Sequence, residues 1–230
     1  ALVHLDLTDA SSTISRSFDY ELLDAEGNVL DIEGVQVSEN QVQVEAPIYL
    51  VKTLDLTVKF RESPGSTLDD IKWKLERNTI EVAGEAASLE NKEDILLGEI
   101  DLSALLSDTE MVLDIALPAG AVNLSGFTTT TLTITFSDSL ATKSLAVTNI
   151  SAIGLSEGQS FDRLTNSVEV VLRGPADIIE EVTEEDVRIV VDLTEYTSNG
   201  TYSVPGIVLV DGFDNVGAVG TYPVACKIRS

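Results

Sequence analysis

The chain has 230 residues, 43% of them hydrophobic, with 39 acidic against 14 basic side chains and a formal net charge of −25. That charge opposes binding to nucleic acid, where Lys and Arg must displace condensed counterions, and unaided adhesion to anionic lipid headgroups. The single cysteine excludes an intrachain disulfide, and no run of about 20 apolar residues is present to span a bilayer as a helix.

Taken in order, the first landmark is Val3-His4-Leu5-Asp6-Leu7-Thr8-Asp9, an aliphatic run ending in Asp-Leu-Thr. It returns as Glu99-Ile100-Asp101-Leu102-Ser103 and as Val190-Val191-Asp192-Leu193-Thr194-Glu195, with the aspartates 95 and 91 residues apart. A period of that size indicates a tandem array of small domains. Phe18–Leu23 and Gln41–Ile48 read as strands that close the first unit.

A second landmark opens the next unit. Lys52-Thr53-Leu54-Asp55-Leu56-Thr57-Val58 matches Lys143-Ser144-Leu145-Ala146-Val147-Thr148, and in both units the lysine precedes the aspartate by 49 residues. Leu54, Leu56, Val58 and Phe60 alternate with polar residues, which predicts a strand with one buried face. A further strand is expected at Thr79–Gly84, and in the next unit at Ser167–Pro175. Ala176–Val182 then spaces its apolar residues for one or two helical turns, with Pro175 at the start where a missing N–H costs nothing. Glu85–Ile95 is its weaker counterpart. Met111–Leu117, Thr128–Phe136, Tyr202–Val210 and Tyr222–Ile228 complete the expected strands, and Pro118-Ala119-Gly120 reads as a turn. Short linkers are expected around Leu50–Val51 and Ser137–Ala141. The expected organisation is a half unit over residues 1–51, whose Asp6 has only five residues before it, and complete units over 52–140 and 141–230. The fold class is mainly β: tandem small β-rich domains, each with a short helical segment.

Few residue patterns carry chemistry. Asp24-Ala25-Glu26-Gly27-Asn28 and Asp211-Gly212-Phe213-Asp214-Asn215 lack the ligand spacing and terminal Glu of a calcium loop, so they read as Asx-Gly turns. The run from Glu180 to Asp186 reads as the solvated face of a short helix. Asp6, Asp101 and Asp192 have no recurrent base or metal ligand beside them in sequence. They read as strand-ending residues that accept backbone N–H bonds in the following turn. One histidine, His4, and one cysteine, Cys226, at opposite ends of the chain oppose a His-dependent triad or a histidine-rich metal site, and Cys226 reads as a buried structural thiol. Trp73 and the five tyrosines read as core or edge residues. No catalytic, cofactor-binding or metal-binding residue is assigned.

The order of these motifs carries a resemblance. A strand after Lys, a strand ending in Gly or Gly-Pro, a short acidic helical piece and a hydrophobic-Asp-Leu-Ser/Thr phrase resemble the YbbR repeat. Val168-Glu169-Val170-Val171-Leu172-Arg173-Gly174-Pro175 through Val190-Val191-Asp192-Leu193-Thr194 carries it best. The second unit departs from it at Ala83-Gly84-Glu85, which lacks the proline. The resemblance implies a mainly β unit with a cradle-shaped curved sheet, repeated in tandem on the extracellular face of Gram-positive bacteria and tethered by one N-terminal membrane helix outside these residues. It further implies a regulatory, non-enzymatic role through a protein partner, similar to the regulator of the membrane-bound diadenylate cyclase that makes cyclic di-AMP, with no cofactor. The fold is also similar to the C-terminal domain of an RNA-binding ribosomal protein, a role the charge opposes. A period near 90 residues, the acidic charge and the Thr-rich strands equally suit a cell-surface structural or adhesive array of immunoglobulin-like domains. An acidic β-rich hydrolase would need opposed carboxylates across a cleft.

Overall fold

The computed structural model describes residues 1–30 and 37–229. Strands dominate, and the expected mainly β class holds. In chain order they are β1 (Ile14–Asp19), β2 (Gln41–Ala46), β3 (Leu50–Arg61), β4 (Ile71–Leu75), β5 (Thr79–Gly84), β6 (Asp94–Asp101), β7 (Thr109–Asp114), β8 (Val122–Asn123) and β9 (Thr129–Phe136). There follow β10 (Leu140–Val147), β11 (Ile150–Ile153), β12 (Ser160–Arg163), β13 (Val168–Pro175), β14 (Val187–Asp192), β15 (Gly200–Val210), β16 (Gly217–Val219) and β17 (Tyr222–Arg229). Among the described residues the α-helices are α1 (Ala86–Leu89) and α2 (Ala176–Ile179), of four residues each, with Pro175 at the N-cap position of α2.

Sheet orders are β1-β2, β6-β3-β5-β8, β4-β9-β7, β10-β13-β16 and β11-β14-β15-β17-β12. By internal packing the chain forms two compact units. One comprises residues 1–57, 77–95 and 114–128, the other residues 58–76, 96–113 and 129–230.

In the first unit Leu54, Leu56, Ile80, Val82, Leu89, Ile95 and Ile115 are buried. Alternation on β3 places Leu54 and Leu56 inward, and the antiparallel register sets Leu54 opposite Ile80. β1 and β2 pair from Ile14–Ala46 to Asp19–Gln41, so the strand expected from Phe18 starts four residues earlier. The first Asp-Leu phrase, unlike its two later copies, is not a strand. Just before it, Leu2 makes one antiparallel bridge to Glu21, and residues 3–9 themselves join no ladder among the described residues.

The second unit holds two apolar cores. Ile71, Leu102, Leu132 and Ile134 form the smaller, with Val58, Phe60, Leu75, Met111 and Phe136 packed around them. The larger is built from β10, β11, β13, β14, β15 and β17, with Val170, Leu172, Ile189, Val191, Val224 and Ile228 fully buried. β14 pairs in parallel with β11 and antiparallel with β15. Ile189, Val190 and Val191 are all buried, so this stretch of β14 is covered on both faces and reads as an apolar run rather than an alternating one. β15 is a central strand that carries Pro205, opposite Pro223 of β17. Two residues without an N–H can face each other only where the ladder asks neither to donate.

The first expected linker is displaced to residues 47–49 and the second is shorter than read. Leu50 and Val51 already belong to β3, and only Ser137, Asp138 and Ser139 separate β9 from β10. The acidic run is divided as well. Glu180 and Glu181 follow α2, whereas Glu184–Asp186 is a separate 3-10 turn closed by reciprocal bonds between Thr183 and Asp186. That cap competes with a continuous helix and wins.

Candidate functional site

Each recurrent landmark residue does the same local work in every copy. At Asp6, Asp101 and Asp192, Oδ1 accepts both the amide and the hydroxyl of the Thr or Ser two residues on: from Thr8 at 3.0 and 2.5 Å, from Ser103 at 2.9 and 2.6 Å, and from Thr194 at 2.9 and 2.5 Å. The hydroxyl and amide bonds hold the Asp6 and Asp192 carboxyls below the usual range. At Asp101 burial opposes this, and the Ser103 bonds together with Arg61, 2.7 Å away, more than offset it. A carboxyl with Oδ1 engaged by its own turn and its pKa lowered is a weak general base.

The landmark lysines close the short helices. Lys52 Nζ donates to the carbonyls of Leu89 and Glu90 at 3.2 and 2.8 Å, and Lys143 Nζ donates to that of Glu180 at 2.8 Å. A four-residue helix leaves its final carbonyls unbonded, and an ammonium is suited to that negative end. Leu89 and Ile179, each fully buried, anchor the two helices.

Asp24 accepts the amides of Glu26 and Asn28 at 2.9 and 2.8 Å, with Gly27 at φ +87°, so this segment is an Asx turn. Asp211 precedes Gly212, at φ +85°, and pairs with Arg188 at 2.9 Å. Cys226 is fully buried in β17, and burial pushes its thiol pKa up, away from the thiolate a nucleophile requires. His4 is exposed, 3.7 Å from Glu21. Trp73 lies on edge strand β4, tilted against Phe60 with 5.2 Å between ring centroids. Among the described residues no cluster of three or more His, Cys, Asp or Glu could hold a metal ion, and no helix is long and apolar enough to cross a membrane.

One residue to which the sequence assigned no role stands out. Arg173, on β13, is 2% exposed, and among the described residues its hydrogen bonds go to no carboxylate. Its Nε donates to Gly65 O at 2.9 Å, Nη1 to Leu105 O at 2.8 Å, and Nη2 to Leu102 O at 2.9 Å and to Ser66 Oγ. The guanidinium carbon lies 3.8 Å from the Phe136 ring centroid. Four of five N–H donors are thus satisfied and one face is stacked, which offsets the cost of burying the charge. Burial still draws its pKa down, partly countered by the charge of Asp70. The available sequence signal was an arginine between Leu172 and Gly174 in an otherwise apolar strand. Beside it, a groove of about 390 Å³ is lined by Ser63, Pro64, Ser103, Arg188, Asp211 and Tyr222 among others.

This set of turns, caps and one buried cation builds a scaffold, and comparison with known proteins shows what the chain resembles. Residues 146–216 match the family model described as YbbR-like protein. That stretch is YbbR-like. It is 26% identical over 219 residues, 92% of its length, to the CdaA regulatory protein CdaR of Bacillus subtilis, of which it spans 43%. A YbbR-like protein from Streptococcus pneumoniae is 13% identical, with a TM-score of 0.30 over 80% of this chain and 96% of that one. A solution structure from Streptococcus thermophilus is 17% identical, with a TM-score of 0.32 over 39% of this chain and 87% of that one. The likeness rests on the sequence matches.

Proposed function

We propose that this YbbR-like chain is a non-enzymatic protein-interaction module, the extracytoplasmic part of a membrane-tethered regulator of a diadenylate cyclase. In this reading residues 52–140 and 141–230 are complete YbbR-like repeats, and residues 1–51 are the C-terminal half of another. The observation that carries it is the similarity to the CdaA regulatory protein CdaR along 92% of the chain. The use of the recurrent polar residues for turns and caps rather than for a shared cleft agrees with binding in place of catalysis.

The test is co-expression of the full-length protein with the membrane-bound diadenylate cyclase of the same organism in a host lacking its own, with cyclic di-AMP measured in extracts. A reproducible change in the nucleotide level, lost when residues 1–230 are deleted, is expected. An unchanged level, with the two proteins failing to co-purify from membranes, would sink the proposal and favour a structural or adhesive surface array.

A further inference from the structure

We propose that residues 58–76, 96–113 and 129–230 act as one mechanical body locked by Arg173, so that the 91-residue sequence repeat is not the unit that moves. This goes beyond the regulatory reading and does not depend on it.

The argument begins with where the partners lie. Arg173 belongs to the later repeat, whereas Gly65, Ser66, Leu102, Leu105 and Phe136 all belong to the earlier one. One guanidinium therefore ties together a loop, a 3-10 turn and the end of β9, all 37 or more residues away along the chain. The backbones meet as closely as glycine allows. A Cβ at Gly65, where φ is +69°, would lie 1.9 Å from Arg173 O, and one at Gly217 would lie 2.0 Å from Pro64 O. Gly220 N donates to Ser103 O at 2.8 Å, a further main-chain tie between the same two segments. A joint made of backbone bonds, a fork with four of its five donors engaged and two contacts only glycine permits has little room to slide.

The device is present in one copy only. Gly84 and Gly174 stand at the same place in the two repeats, so Arg173 corresponds to Ala83, whose methyl can donate to nothing. The repeat is thus regular in its landmarks and irregular at its joint.

Hydrogen exchange on the full chain tests this, comparing wild type with Arg173→Gln and Arg173→Lys. In both variants the amides of Ser66 and Leu105 are expected to exchange about tenfold faster or more, while Ile189 and Val191 in β14 keep their protection. Lysine, a point charge without the fork, does not rescue. Calorimetry should then resolve two transitions where the wild-type body gives one. Uniformly faster exchange with a single lowered transition would overturn the proposal, since Arg173 would then be an ordinary core residue. Should the arginine variants fail to fold, Gly217→Ala provides the second arm. It leaves Arg173 in place but drives the Pro64 carbonyl away, and unchanged protection at Ser66 in that variant would equally overturn the joint.

Discussion

Lys143 Nζ sits 2.8 Å from the carbonyl oxygen of Glu180, at the end of α2, as Lys52 Nζ sits 2.8 Å from that of Glu90 beyond α1. Both lysines are charged caps on helices too short to satisfy themselves. Lys143→Met keeps the aliphatic stem and removes the donor. Urea unfolding is expected to show a loss of about 1 kcal/mol, and Lys143→Arg should recover most of it. No change in the midpoint for Lys143→Met would remove the capping role.

The Asp-Leu-Ser/Thr turn is expected to depend on its acceptor rather than on charge alone. Asp101→Ala leaves the Ser103 amide and hydroxyl without their partner and should cost about 1 kcal/mol, in the range of a lost helix cap. Asp101→Asn retains one oxygen and should cost less. Equal losses in the two variants would show that the ion pair with Arg61 dominates instead.

Gly154 is the position where the third copy of this turn meets a neighbouring loop. Its φ is +76°, and a Cβ there would lie 2.3 Å from Thr194 Oγ1 and 2.8 Å from Asp192 Oδ1. Gly154→Ala combines left-handed strain with a clash, for an expected loss of about 2 kcal/mol. Thermal melting of the variant checks it, and an unaltered melt would mean that the loop moves aside freely.

Acid should weaken the fold in a defined window. The carboxyls of Asp101, Asp186 and Asp192 are lowered in the folded chain, so their contribution is complete above the unfolded carboxylate pKa of about 3.9. It is lost as pH falls below that value through the folded ones. Chemical denaturation between pH 7 and pH 2.5 should show stability nearly flat to about pH 5 and declining below it. Combining Asp186→Asn with Asp192→Asn should flatten the decline, and an unchanged slope would count against these turns.

Cys226 should be inert until the chain unfolds. Its thiol is fully buried with its pKa raised, so a thiol-reactive dye is expected to label it only in denaturant. Prompt stoichiometric labelling of the native chain would contradict its placement in β17.

Much of the molecule could be read in one dimension. Strands with one buried face announce themselves by alternation, as at β3 and β9, and β5 was placed at its observed ends. The turn role of Asp101 and Asp192 was legible because its donors are two residues away. Short strands were not legible. Ile150–Ile153 and Ser160–Arg163 are four residues each, too few for a period to register, and they exist because β14 and β17 offer them edges.

By itself, then, the amino-acid order determined the class, the repeat landmarks and the local turns, because each depends on residues close together in the chain. Which segments share a body was decided by the tertiary structure alone. Arg173 finds Gly65 across 108 residues and Leu105 across 68. No local preference encodes such a pairing. It exists because a buried guanidinium must satisfy its donors, and only the folded chain brings those carbonyls within reach.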